Sequence, residues 1–70
     1  MYQYEAVIQA MEELGGYAPL GELYQAALQI PGTQWGTQTP YATIRRIVQE
    51  RKEFFKIRPG LWALKSHRNR

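Results

Sequence analysis

The sequence contains no cysteine, which excludes disulfide bonds, thiolate metal ligands and cysteine nucleophiles. Its one histidine, His67, excludes a zinc site built from several histidines. No apolar run approaches the roughly 18 residues of a membrane-spanning helix, and residues 1–5 lack the basic residues that open a signal peptide. Because 70 residues suffice for only one small core, we expect a single soluble, intracellular domain with no membrane partner.

Basic residues are absent from residues 1–40, which carry four glutamates. Residues 41–70 hold all nine basic residues and two glutamates, so the two parts have formal charges of −4 and +7, which sum to +3. A basic half of this kind predicts a polyanionic partner. The alternative is a solvated basic surface that ends in a flexible basic tail.

Hydrophobic spacing predicts three helices, over residues 3–14, 20–29 and 40–52. Gly15-Gly16 ends the first and Pro31-Gly32 the second, whereas Thr39 is the predicted N-cap of the third and Pro40 its first residue. The predicted inward positions of the first helix are Tyr4, Val7, Ile8, Met11 and Leu14. Those of the second are Leu20, Leu23, Tyr24, Ala27 and Leu28. Those of the third are Tyr41, Ile44, Ile47 and Val48.

The hydrophobic period changes to two after the third helix, which predicts a hairpin of residues 54–58 and 61–65 joined by Pro59-Gly60. Phe55, Ile57, Trp62 and Leu64 are the predicted inward positions. Residues 17–18 are a candidate third strand. We therefore predict an α+β fold, a winged helix-turn-helix of three helices and a two-stranded wing over residues 1–65, with a basic tail at residues 66–70.

Groups that could catalyse a reaction are sparse. His67 lies in the predicted tail, and Glu50 and Glu53 stand among basic residues, where we interpret them as solvated ion pairs with Arg46 and its neighbours. The glycines occur as single turn elements and not as a phosphate-binding loop. We expect no enzyme, no metal and no cofactor.

The third helix is the only one with a basic outward face, and an α-helix fits the major groove of B-DNA. We predict that residues 40–52 enter that groove while the wing, residues 56–61, contacts the DNA backbone through Lys56 and Arg58. The other candidate contacts are Thr37, Gln38, Thr39, Ala42, Thr43, Arg45, Arg46 and Gln49. One such module buries roughly 600–1,000 Å² against DNA, so tight binding would need a homodimer or an attached effector domain.

Two other functions fit the same pattern. A winged helix can serve as a protein-interaction adaptor in a transcription or restriction assembly. The chain can also bind single strands if Trp35 and Tyr41 stack on unpaired bases. We predict that Trp35 packs against the core and that Trp62 occupies an inward position in its strand.

Two stretches resemble the HARE-HTH domain family. Residues 35–44 have its W-x-T-x-TP-x-AT-[IV] pattern, and residues 54–64 resemble its final strand pair, F-x-[KR]-[VI]-x-PG-x-[FW]-AL. The likeness covers residues 3–65 and implies a winged helix-turn-helix, with residues 39–43 beginning the recognition helix and residues 58–60 forming the wing tip. Members occur in chromatin-associated regulators, in the delta subunit of bacterial RNA polymerase and fused to restriction endonucleases. The resemblance implies DNA binding and the sensing of base modification, although some relatives bind proteins.

Overall fold

The structure, a computed structural model, describes residues 2–36 and 40–65. The helices are α1 (Gln3–Glu13), α2 (Leu20–Leu28) and α3 (Tyr41–Glu50), and the strands are β1 (Tyr17–Pro19), β2 (Phe54–Arg58) and β3 (Leu61–Leu64). Their order along the chain is α1, β1, α2, α3, β2, β3. The predicted α+β class and the three helices are confirmed, and the candidate strand at residues 17–18 is present as β1. The predicted cap Thr39, with Thr37 and Gln38, and the predicted tail lie outside the described residues.

Two glycines end α1 as the sequence predicts. Gly15 and Gly16 both have positive φ, at 98° and 96°. The Gly16 N–H donates to the Met11 carbonyl at 2.9 Å, and the Gly15 N–H donates to the Glu12 carbonyl at 3.1 Å. This pair of bonds is the Schellman motif, which satisfies carbonyls that the end of a helix leaves without partners. The chain then turns directly into β1.

The third helix is shorter than predicted. Pro40 stands at the N-cap and not at the first helical position, and its carbonyl accepts the Ile44 N–H at 3.0 Å. At the other end the backbone of Arg51 is extended, with ψ of 140°, so α3 ends at Glu50. The predicted end at residue 52 is wrong because Arg51 leaves the helix, and its side chain binds Glu53 and contacts the ring of Tyr4.

The sheet is antiparallel with the strand order β1-β3-β2, so β3 lies at its centre. Trp62 of β3 lies between Ala18 on one side and Lys56 on the other. Phe54 pairs with Leu64, and both are buried. Since paired residues share a face, Phe54, Lys56, Trp62, Leu64 and Ala18 occupy the face that packs on the helices.

The prediction that Phe55 and Ile57 point inward is therefore wrong. Phe55 pairs with Ala63 on the outer face, and Ile57 is 49 % exposed. Register is set by pairing, and a shift of one residue exchanges the two faces of a strand. From the sequence alone, the series of inward residues could begin at either Phe54 or Phe55. The pairing of Phe54 with the buried Leu64 places Phe54 on the inner face.

The hairpin turn is tied to the start of α2. Gly60 has φ of 82°, a left-handed conformation that glycine adopts without steric cost. Its carbonyl accepts the N–H of Leu20 at 3.0 Å. The register between β2 and β3 also shifts by one residue between Lys56 and Arg58, which makes Ile57 the extra residue of a bulge. The turn thus lies against the junction of β1 and α2 and does not extend freely beyond the sheet.

The core lies between the three helices and the inner face of the sheet. The side of α1 that is buried carries Ala6, Val7, Ala10 and Met11, while Tyr4, Ile8 and Leu14 are only half-buried. Val7 and Met11 are therefore buried as predicted, and the buried side extends toward Ala6 and Ala10 and away from Tyr4 and Ile8. Leu28, predicted inward, is exposed. Trp35 and Trp62 are half-buried against the core, as predicted.

Candidate nucleic-acid interface

The outward face of α3 brings four of the predicted contact residues together. Ile44 and Val48 are buried, which fixes the rotation of the helix. At about 100° per residue, the remaining side chains that share one exposed sector about 100° wide are Arg45, Gln49, Ala42 and Arg46, in that angular order. Glu50 borders this sector beside Arg46, and Tyr41 borders it beside Arg45. We call the four-residue sector the α3 face.

Two further residues of α3 lie beside the α3 face and not on it. Thr43 is half-buried on the flank next to Ile47 and does not belong to the α3 face. Tyr41, predicted inward, is 38 % exposed, and its ring stacks on that of Tyr24 with centroids 4.6 Å apart. This stack joins α2 to the start of α3, so it fixes the orientation of the helix at the edge of the α3 face.

The guanidinium groups of α3 and of the following turn differ in their partners. Arg51 binds the Glu53 carboxylate through Nε at 2.9 Å and through Nη2 at 3.1 Å, and it lies 3.7 Å from the centroid of the Tyr4 ring. Within residues 2–36 and 40–65, Arg45 and Arg46 take part in no ion pair. The expected ion pair between Glu53 and a neighbouring basic residue is present, and its partner is Arg51.

The Arg51–Glu53 pair shifts the pKa of the Glu53 carboxyl group, and this shift can be measured. The side-chain hydrogen bond from Arg51 lowers the pKa of the Glu53 carboxyl below its ordinary value, and the same bond raises the pKa of Arg51. A carboxyl whose pKa is lowered by folding stabilises the folded state above its unfolded pKa, about 4.3, and that contribution disappears as the pH falls through the folded pKa. We expect an NMR titration to give a lowered pKa for Glu53. An Arg51→Gln variant should raise the pKa of Glu53 toward its ordinary value, although the backbone hydrogen bond of Glu53 still lowers it. No difference in this pKa between the two proteins would contradict the pairing.

The two cations of the hairpin lie on opposite faces of the sheet. Lys56 pairs with Trp62, which places it on the face that α3 also packs against, whereas Arg58 pairs with Leu61 on the outer face. Two residues that are two apart in a regular strand share a face, but the bulge at Ile57 breaks this alternation. The expectation that both cations leave the sheet in one direction is wrong, and the sequence gives no sign of the bulge.

A cleft beside the α3 face was not predicted from the sequence. It lies where the first turn of α1 meets the second half of α3, and its wall includes Tyr2, Tyr4 and Arg46. The only sign of this cleft in the sequence is the pair of tyrosines in Tyr2-Gln3-Tyr4, and it can be recognised only once the structure is known. Tyr2 precedes the helix and Tyr4 is inside it, so helical periodicity does not place their rings together, yet they stack with centroids 5.9 Å apart.

Comparison with protein families, with curated proteins and with solved structures found no match to this chain. In the described part of the chain, no helix is long and apolar enough to cross a membrane. The same residues contain no group of three or more histidine, cysteine, aspartate or glutamate side chains placed to hold a metal ion.

Proposed function

We propose that this chain is a non-enzymatic winged helix-turn-helix domain that binds double-stranded DNA with α3 in the major groove. The order of its elements supports the fold, because a strand stands between the first two helices and a hairpin follows the third. In such domains the third helix is the one that reads DNA, and the hairpin is the wing. An intracellular location follows from this function.

The observation that carries the proposal is the composition of the α3 face. Its two arginines have no anionic partner in the described residues, and Gln49 lies between them. Arginine pairs with guanine and glutamine with adenine through the edges that the major groove exposes. Ala42, on the same face, has no side chain beyond its methyl group, so the helix backbone can approach the bases closely. That methyl group also suits contact with the methyl of thymine or of a modified cytosine.

The salt dependence of binding tests the proposal directly. Two to four phosphate contacts predict a slope of about −2 to −4 when the logarithm of the affinity is plotted against the logarithm of the salt concentration. A titration of a labelled duplex at several salt concentrations measures this slope. Duplexes with and without methylated cytosine show whether modification is read, as expected of a module that serves a restriction or regulatory protein. A homodimer or an attached effector domain would raise the affinity.

The position of the bulge predicts that the two hairpin cations contribute unequally. Lys56→Ala should weaken duplex binding about 3- to 10-fold and reduce the salt slope by about one, as the loss of one phosphate contact does. Arg58→Ala removes the same charge from the outer face of the sheet and should change the affinity less than about 2-fold. Fluorescence anisotropy at low salt measures both. An equal or larger loss for Arg58→Ala would contradict the assignment.

A second candidate function, protein docking, is favoured by the outer face of the sheet. Tyr17 and Ile57 are 60 % and 49 % exposed there, and both are large and apolar. Binding through that face would depend weakly on salt, unlike DNA binding. The single-strand alternative is less well supported, because Trp35 packs on the core and the Tyr41 ring is stacked on Tyr24.

A further inference from the structure

The unpredicted cleft is built from two different elements. It is open, has a volume of ≈ 390 Å³, and lies between the first turn of α1 and the second half of α3. The side chains that form its walls include Tyr2, Tyr4, Arg46, Ile47, Glu50 and Arg51. Because Arg46 belongs both to this cleft and to the α3 face, the two surfaces are continuous.

One wall of the cleft is an ordered aromatic stack. The rings of Tyr2 and Tyr4 are nearly parallel, with an interplanar angle of 11°. The Arg51 guanidinium lies over the Tyr4 ring, and Glu53 holds that guanidinium in place. The backbone N–H of Tyr2 donates to the Glu5 carboxylate at 2.9 Å, which fixes the start of α1. Tyr2, at 71 % exposed, therefore presents an aromatic surface from a supported position.

The other wall carries one cation and one anion. Arg46 and Glu50 are one helical turn apart on α3, and in the described residues neither is in an ion pair. The half-buried side chain of Ile47 lies between the two polar groups and the core. A ligand that satisfies this cleft needs a flat ring for Tyr2, an N–H donor for the carboxylate of Glu50 and an anionic group for Arg46.

We propose that this cleft binds one unpaired nucleotide of the DNA strand that the α3 face holds, and that it prefers guanine. The base stacks on Tyr2, the phosphate binds Arg46, and Glu50 accepts from the N–H groups of the base. Guanine presents two adjacent N–H donors on one edge, whereas thymine has no amino group. The inference rests on the proposed function, since the duplex brings the unpaired nucleotide to the cleft.

The experiment compares a blunt duplex with duplexes that carry a single unpaired dG or dT at either end. Stacking of one base on an aromatic side chain contributes about 1–3 kcal/mol, so the dG overhang should bind about 5- to 150-fold more tightly than the blunt duplex. Tyr2→Leu should abolish this gain and leave the blunt-duplex affinity unchanged. Tyr17→Leu removes another exposed tyrosine, on the outer face of the sheet, and should retain the gain. Glu50→Gln should reduce the preference for dG over dT.

The possible failures are distinguishable. If the blunt duplex binds but the dG overhang adds nothing, or if Tyr2→Leu keeps the full gain, the cleft proposal is wrong and the duplex proposal stands. If no duplex binds, the proposed function is wrong, and single-stranded trinucleotides of dG and dT then test the cleft alone. Equal binding of these two trinucleotides overturns the guanine preference. Tight binding of free dGMP without any overhang effect assigns the cleft to a free nucleotide and overturns the proposal.

Discussion

Duplex DNA should bind the double variant Arg45→Ala/Arg46→Ala at least about 30-fold more weakly than the parent protein. Each arginine that contacts a base or a phosphate contributes roughly 1–3 kcal/mol to binding. The two arginines together therefore contribute at least about 2 kcal/mol, which corresponds to an affinity loss of about 30-fold. Both side chains are exposed and alanine favours the helix, so the fold should be unaffected. Anisotropy titration of a labelled duplex measures the affinity, and circular dichroism verifies that the helices are intact.

The matched control is the double variant Arg58→Ala/Lys65→Ala, which removes the same charge from residues outside the α3 face. Arg58 lies on the outer face of the sheet, and Lys65 follows β3 at the end of the hairpin remote from the turn. This variant should bind within about 3-fold of the parent protein, since screened charges outside the contact contribute little. An equal loss in the two double variants would mean that net charge alone drives binding, and the α3 face would lose its assigned role.

Replacing Ile44 with alanine should leave the domain largely unfolded at 37 °C. Ile44 is completely buried where α3 meets the core, and truncation of a buried isoleucine costs about 2–5 kcal/mol. A single core of this size rarely supplies more than about 3–5 kcal/mol, so the loss is comparable with the whole stability. Urea unfolding followed by circular dichroism at low temperature gives the free energy of unfolding of both proteins.

The Ile57→Ala variant is the control for that experiment, because it deletes the same atoms from a position that is 49 % exposed. It should change the free energy of unfolding by less than about 0.5 kcal/mol. The sequence predicts both isoleucines to point inward, so the comparison also tests the register of β2. A large loss for Ile57→Ala would place that side chain in the core and contradict the pairing of Phe54 with Leu64.

Local signals account for what the sequence predicted well. The glycine pair after α1 and the proline-glycine pair after α2 mark helix ends through backbone conformations that neighbours hardly influence. Most of the α3 face follows from the sequence for a similar reason, since the period that buries Ile44 and Val48 turns Ala42, Arg46 and Gln49 to the opposite side.

Features that depend on distant partners could not be predicted in this way. The bulge that separates Lys56 from Arg58 arises in pairing with β3, which is itself held by β1. Arg51 looks equivalent to Arg45 and Arg46 along the chain, and only the approach of Tyr4 shows that it has a structural role. The cleft likewise exists only because the first turn of α1 comes to rest beside α3, a contact that no local pattern encodes.

The central position of β3 has a consequence for biosynthesis. β1 and β2 do not pair with each other. Each forms its inter-strand hydrogen bonds only with β3, residues 61–64. A nascent chain that has exposed the three helices but not this segment still has an incomplete sheet, and the apolar side chains that the sheet covers remain open to water. Because synthesis runs from the N-terminus, completion of the fold must wait until Leu64 has left the ribosome.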